Sequence, residues 1–374
     1  MPASLTALRD RLTRAREAAR TAGVDALLVT PSPDLRYLLG VGGESHERLT
    51  CLVLPSDGDP SLVVPRLERP GLDGSPVAEL GLDVVDWTDA DDPYVLVADL
   101  LGRSGPAPTR AAVGDAMPAA HVLRLRDALP ATEQVLASPV LRELRMRKDA
   151  AEVEALATAG EAIDRVHARM GEWLRPGRTE AEVGIDISAA IVAEGHTEAA
   201  FVIVGSGPHG ASPHHDVSHR VLTAGDVVVV DIGGPTPEGY HSDCTRTYSL
   251  GEPAGGDVAG TYAVLRDAQD AAVAAVRPGA TAGQVDAAAR GPITEAGFGE
   301  FFIHRTGHGI GLEVHEEPYV VGGNDLVLEP GMAFSVEPGI YLPGRWGARI
   351  EDIVVVTADG VRRLNHRPRD LTWP

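Results

Sequence analysis

"LRPGRTEAEVGIDISAAIVAEG", residues 174–195, returns 102 positions later as "VRPGATAGQVDAAARGPITEAG", residues 276–297. The two stretches align without a gap, matching Arg175/Arg277, Pro176/Pro278, Gly177/Gly279, Thr179/Thr281, Val183/Val285, Ile191/Ile293 and Gly195/Gly297. Each reads as a stop at Arg-Pro-Gly followed by a fresh helix, the first opened by a Thr179/Glu182 capping box. Arg-Pro-Gly is a common way to end one helix before another, so the helix starts alone do not make a duplication. The segment after each copy does, because both times it is a β-hairpin with two acidic residues inside otherwise apolar strands. A repeated helix-plus-hairpin unit predicts an α/β (α+β) domain of two halves related by a pseudo-two-fold axis.

The hairpins carry the chemistry. In "GDVVVVDIGG" Asp231 shares a strand face with Val227 and Val229, and in "GYHSDCTRTYSL" Asp243 shares one with His241 and Thr245. A turn around Pro237 places Asp231 directly opposite Asp243. In "FSVEPGIYLPGRWGARIEDIVVV" a turn at Pro343 and Gly344 places Glu337 opposite Glu351. Like charges facing each other in apolar strands are destabilising unless a cation lies between them or arginines such as Arg246 and Arg349 pair them. Two such pairs, related by the duplication, favour metal. Four carboxylates neutralise two divalent ions, and an oxygen-rich set with one imidazole suits Mn²⁺ or Co²⁺, with Fe²⁺ or Zn²⁺ as further options.

The imidazole comes from "HRTGHGIGLEVHE", His304 to Glu316. His304 and His308 have helical spacing, but Gly307, Gly309 and Gly311 each cost a helix about 1 kcal/mol, so the segment reads as a glycine-rich loop entering a strand. Spacing does not say which histidine is the ligand.

The chain has 374 residues, 44% of them hydrophobic, which suits two domains. Residues 4–22 form an amphipathic helix, followed by short apolar strands such as "DALLVTP", "TCLVLP" and "PSLVVP", so a smaller mixed α/β domain is expected over 1–140. The duplicated domain takes 141–374, beginning with a long helical pattern from about Pro139, and further helices are expected over roughly 256–276 and 282–296. A net charge of -21 disfavours nucleic acid and anionic membrane. With neither a signal-peptide pattern nor a membrane-length apolar run, a cytoplasmic protein is expected. Cys51 and Cys244 form no CxxC, and a single lysine, Lys148, makes Schiff-base chemistry a poor fit.

"VVVVDIGG", "HSDCTRTYSL", "HRTGHGIGLEVHEEP", "MAFSVEPGIY" and "GARIEDIVVV" together resemble the successive motifs of the pita-bread metallopeptidases, specifically the Xaa-Pro peptidases, prolidase and aminopeptidase P. The resemblance is close over 145–374, and the preceding region is similar in size and pattern to a creatinase-type N-terminal domain. It implies two metal ions that hold a shared water, used as hydroxide to hydrolyse the bond before proline in Xaa-Pro dipeptides or short peptides. It also implies roles by position. Asp231 matches a bidentate ligand of one metal, Asp243 and Glu351 match bridging carboxylates, and His308 with Glu337 completes the other metal. His315 matches the family histidine that contacts the scissile peptide, and Glu337 is the choice for the proton shuttle in the hydrolysis. His304 matches a substrate-pocket residue and Arg349 an arginine that orients nearby acids. His214 in "GASPHHDVSHR" matches a substrate-facing histidine, with His215 and His219 as competitors. A homodimer is usual in the family. A broader aminopeptidase specificity and a non-catalytic peptide- or protein-binding module are the competing expectations. His46, His121, His167, His196, His209 and His366 carry no constellation.

Overall fold

The computed structural model describes residues 3–103, 105–254 and 258–372. It divides into two compact units, Met1–Arg145 and Met146–Pro374.

In the first unit, Ser4 caps α1 (Leu5–Thr21) by accepting from the Ala7 amide, and Gly23 leaves it at φ 67°. The three apolar segments become β1 (Ala26–Val29), β2 (Cys51–Pro55) and β3 (Ser61–Pro65), with α2 (Pro33–Leu39) between the first two. Then come α3 (Val77–Leu80), β4 (Asp83–Trp87), α4 (Pro93–Arg103), β5 (Arg110–Val113), α5 (Ala119–Ala128), β6 (Glu133–Leu136) and α6 (Ser138–Met146). The strands form one mixed six-stranded sheet, ordered β4-β3-β2-β1-β5-β6.

The second unit continues with α7 (Ala150–His167), α8 (Met170–Trp173), α9 (Glu180–Ala193), β7 (Phe201–Ser206), β8 (Val227–Pro235) and β9 (His241–Ser249). Its other half holds α10 (Val258–Ala275), α11 (Ala282–Glu295), β10 (Gly307–Gly309), β11 (Glu316–Val320), β12 (Ala333–Val336), β13 (Gly339–Leu342), β14 (Trp346–Arg349), β15 (Asp352–Val356) and β16 (Val361–Arg363). The long helix expected from Pro139 is three helices. Lys148 donates its amide to Gly331 and Arg147 bridges Met332, which pulls the chain out of helix, and Asp149 then caps α7 in a capping box with Glu152. Residues 256 and 257 of the expected helix over 256–276 lie outside the described residues.

The repeat is visible bond by bond. Thr179 and Thr281 each cap a helix in a capping box, with Glu182 and Gln284 as partners. Thr179 bridges Val221 as Thr281 bridges Val327, and Gly177 donates to Leu222 as Gly279 donates to Leu328. Each half lays its helices on one face of its strands. Ile163, Val183 and Ile187 pack on Val228, Val230, Ile232 and Cys244 in one half. Leu265, Ala272, Val285 and Ala289 pack with Phe334, Val336 and Val354 in the other. Side chains alternate across a strand, so Asp231, Asp243 and Glu337, each one position from a core residue, point away from the helices. No helix among the described residues is long and apolar enough to cross a membrane.

Candidate metal centre

The first hairpin differs from expectation. Asp231 pairs with Thr245 and Asp243 with Gly233, so the two acids are diagonal neighbours rather than directly opposed. The turn is centred one residue later, with Gly239 at φ 90° and its amide bonded to the Thr236 carbonyl. A shift of two in the pairing keeps both acids on the same face. The second hairpin has the expected register: Val336 pairs with Asp352 and Gly339 with Arg349, which brackets Glu337 opposite Glu351 at the break between two ladders.

His308 lies on β10, between β11 and β12. Its flanking glycines make their closest approaches to neighbouring strands. A Cβ on Gly307 would sit 1.8 Å from the Ser335 carbonyl oxygen, and one on Gly309 2.2 Å from that of Glu317. His308 Nδ1 lies 3.0 Å from the Gly309 carbonyl oxygen, which can only accept, so this nitrogen carries the proton. Nε2 is then a bare lone pair, 3.2 Å from Glu337 Oε1 and 3.6 Å from Asp243 Oδ2. Desolvation lowers the His308 pKa to about 4, which keeps the ring neutral.

Acceptors therefore face acceptors in a buried space. One ligand atom each from Asp243, His308 and Glu351 lies within 4.8 Å of the others. Asp231 Oδ1, Asp243 Oδ1 and Glu351 Oε1 are buried without a hydrogen-bond partner. Desolvation, with Glu351, Asp231 and Glu337 as neighbouring charges, pushes the Asp243 carboxyl well up; desolvation with Glu337 and Asp231 does the same to Glu351. Orphaned oxygens on three carboxylates, beside an imidazole lone pair, fit a bound cation.

The remaining oxygens are held. Thr245 Oγ1 donates to Glu351 Oε2 at 2.7 Å and accepts from Arg349 Nε at 3.0 Å. Ser335 Oγ donates to Glu337 Oε1 at 2.9 Å and accepts from the His308 amide at 3.0 Å. Arg349 meets Asp231 Oδ2 at 2.6 Å and donates to the Tyr341 hydroxyl at 2.8 Å and the Pro213 carbonyl at 3.3 Å. Arg246, the other arginine weighed from sequence, pairs with Asp352 instead. His304 Nδ1 faces the Arg305 carbonyl at 2.7 Å, so Nε2 accepts from the Tyr341 hydroxyl at 2.8 Å. Burial pushes that phenol up to about 12, so it keeps the proton it donates.

The candidate histidines separate. His315 is exposed, its ring 4.2 Å edge-on from that of His308, and desolvation and His308 lower its pKa to about 4. Its neighbour Glu316 pairs with Lys148 at 2.5 Å. His214 is exposed and within electrostatic reach of His304 and His315. His215, its competitor, turns the other way onto Glu180 at 2.8 Å, joined there by His209, which no sequence motif had singled out. Thr245, Ser335 and Tyr341 were also missed. Alternation alone places Ser335 on the face of Glu337, and the correct hairpin register places Thr245 opposite Asp231.

Two family descriptions match the chain: metallopeptidase family M24 over residues 154–358 and the creatinase/prolidase N-terminal domain over residues 11–147. The chain is 62% identical over 361 residues to a probable dipeptidase PepE of Mycobacterium tuberculosis, covering 96% of this chain and 95% of the relative. It is 38% identical over 341 residues to an Xaa-Pro dipeptidase of Lactobacillus helveticus, covering 90% and 91%. The crystal structure of dipeptidase PepE from Mycobacterium ulcerans superimposes with a TM-score of 0.94 at 59% identity, covering 100% of this chain and 99% of that one. With the duplicated halves and the clustered acids, these likenesses place the chain in metallopeptidase family M24, as a pita-bread enzyme behind a creatinase/prolidase N-terminal domain.

Proposed function

We propose that this enzyme hydrolyses the peptide bond preceding proline in Xaa-Pro dipeptides or short peptides, using two divalent cations held by Asp231, Asp243, His308, Glu337 and Glu351. The donor set carries the reading: three carboxylates with buried, unpartnered oxygens and a histidine whose lone pair faces carboxylate oxygens. Four carboxylates balance two divalent charges, and the oxygen-rich set suits manganese or cobalt, with zinc and iron as alternatives. When bound, such ions acidify water and polarise a carbonyl.

The chain's own residues do the rest. Glu337, with Oε1 fixed by Ser335, takes the proton of the attacking water and delivers it to the leaving nitrogen, which in an Xaa-Pro bond is proline's secondary amine. His315 donates an N–H to the oxygen that gains charge as the carbonyl carbon becomes tetrahedral. Arg349 holds Asp231 and, through Tyr341, sets His304 in the substrate pocket. His214 contacts the substrate. A cytoplasmic location and a homodimer belong to the same reading; the dimer is tested by sedimentation and the location by cell fractionation.

Proline preference draws support from the Lactobacillus relative's name, whereas the mycobacterial relative is named a dipeptidase without mention of proline. A dipeptidase of broader specificity is therefore the second reading. A panel of Xaa-Pro, Xaa-Ala and Xaa-Pro-Yaa peptides, assayed with Mn²⁺, Co²⁺ or Zn²⁺ and with chelator, separates them. Selective, chelator-sensitive cleavage of Xaa-Pro supports the first. Equal rates on Xaa-Ala select the second, and chelator-resistant cleavage refutes both.

A further inference from the structure

Outside the metal centre, a dense polar cluster surrounds Glu180, the first residue of α9, whose side chain is 0% exposed. Its Oε1 accepts from the Ser206 amide at 2.9 Å and hydroxyl at 2.6 Å; its Oε2 accepts from Ser218 Oγ at 2.6 Å and meets His215 Nε2 at 2.8 Å. His209 Nδ1 lies 3.1 Å from both oxygens. Glu180, His209 and His215 also have the spacing of a metal site. The carboxylate is, however, saturated by donors and sits at the positive end of a helix, an arrangement built to hold an anion.

The donors to Glu180 bracket the segment that carries His214. Ser206 and His209 precede it, His215 and Ser218 come after it. On the other side, the Pro213 carbonyl accepts from Arg349, and Gly210 lies so close to β14 that a Cβ on Gly347 would come 2.0 Å from its carbonyl oxygen. His214 thus sits between two pinned neighbours, Pro213 on Arg349 and His215 on Glu180. The repeat supplies a comparison. At the position equivalent to Glu180 the second half has Ala282, also buried, with the same cap and the same bridge geometry, so the repeated fold does not need an acid there.

We propose that Glu180 is a positioning residue: it clamps the 206–218 segment so that His214 is presented to the substrate. This rests on the reading of His214 as a substrate contact. A positioning residue and the residue it positions are coupled, so losing one makes losing the other nearly free; two independent defects multiply.

The test is a double-mutant cycle of wild type, Glu180→Gln, His214→Ala and the double variant, each reconstituted with Mn²⁺. It uses a dipeptide that the wild type cleaves, and kcat/KM, metal content and melting temperature are measured. The expected result is a loss of roughly tenfold or more in each single variant at unchanged metal content, with the double variant within about twofold of His214→Ala. Amides 207–217 should also exchange faster in Glu180→Gln. Wild-type kcat/KM in Glu180→Gln, or losses that multiply in the double variant, overturn the inference alone. Full activity in His214→Ala overturns both the inference and the substrate role beneath it. Should Glu180→Gln fail to fold, Ser218→Ala takes its place in the cycle under the same criteria.

Discussion

His308 turns an unprotonated Nε2 toward Glu337 Oε1 at 3.2 Å, because its only ring proton is committed to the Gly309 carbonyl. Without a cation, that contact and the orphaned oxygens beside it are repulsive, so the metal-free protein carries a local destabilisation that the loaded protein lacks. Adding Mn²⁺ or Co²⁺ at about 100 times its dissociation constant should stabilise by about 2.7 kcal/mol for each site filled, a rise in Tm of several degrees, reversed by chelator. Asp243→Asn should invert the order. Its metal-free form should melt no lower than metal-free wild type, because a crowded buried carboxylate is gone, while metal should no longer raise Tm. Calorimetry with and without metal decides this, and a metal-free Asn variant that melts well below wild type would contradict the repulsion argument.

The Tyr341 hydroxyl joins Arg349 to His304 and is fully inside. Tyr341→Phe keeps the ring and deletes only the link, leaving a buried guanidinium short of one acceptor at a cost of about 1–3 kcal/mol. Metal content should hold while kcat/KM falls about tenfold, the loss appearing mainly in KM if His304 contacts substrate in the ground state. Unchanged kinetics would remove Tyr341 and His304 from the site.

A methyl group at 307 would meet the Ser335 carbonyl oxygen at 1.8 Å, so Gly307→Ala must push β10 off β12 and carry His308 with it. The expected cost is about 1–3 kcal/mol, together with weaker metal retention. Gly322→Ala is the control: its Cβ would meet only Asp286 Oδ2, at 3.4 Å, and should change stability by less than about 0.5 kcal/mol. Equal effects from the two substitutions would show that β10 tolerates displacement.

The contrast between the two hairpins shows what the sequence could and could not convey. The Glu337/Glu351 register was legible because Gly344 at φ 72° is the turn residue that a Pro-Gly pair announces. The Asp231/Asp243 register was misread because Pro237 looked like the turn, whereas Gly239 supplies the positive φ; the error of two in the pairing preserved the face and hence the clustering. The repeated helix starts were legible because Thr caps are local chemistry. Tyr341 was not, since a tyrosine in an apolar strand reads as core, and of its hydroxyl partners only Arg349 is local, across the hairpin, while His304 comes from 37 residues away. Glu180 was not either: an acid in the first turn of a helix reads as a solvated complement to the dipole, and its burial depends on a segment 26 or more residues away folding over it.

That burial gives Glu180 a pH signature separable from its role in turnover. Desolvation alone would raise its pKa, but hydrogen bonds from Ser206, Ser218 and His215 outweigh it and bring the carboxyl from 4.5 to about 2. A carboxylate held below its unfolded pKa contributes stability that is fully present above about 4.5 and disappears as pH falls through about 2. The contribution at neutral pH is on the order of 3 kcal/mol. Glu180→Gln cannot ionise, so the Tm gap between wild type and variant should close progressively as pH falls below about 4.5. Acids remote from Glu180 titrate in both proteins and cancel in the difference. A gap that stays constant down to pH 3 would mean that Glu180 holds the 206–218 segment by shape rather than as an ionised acceptor.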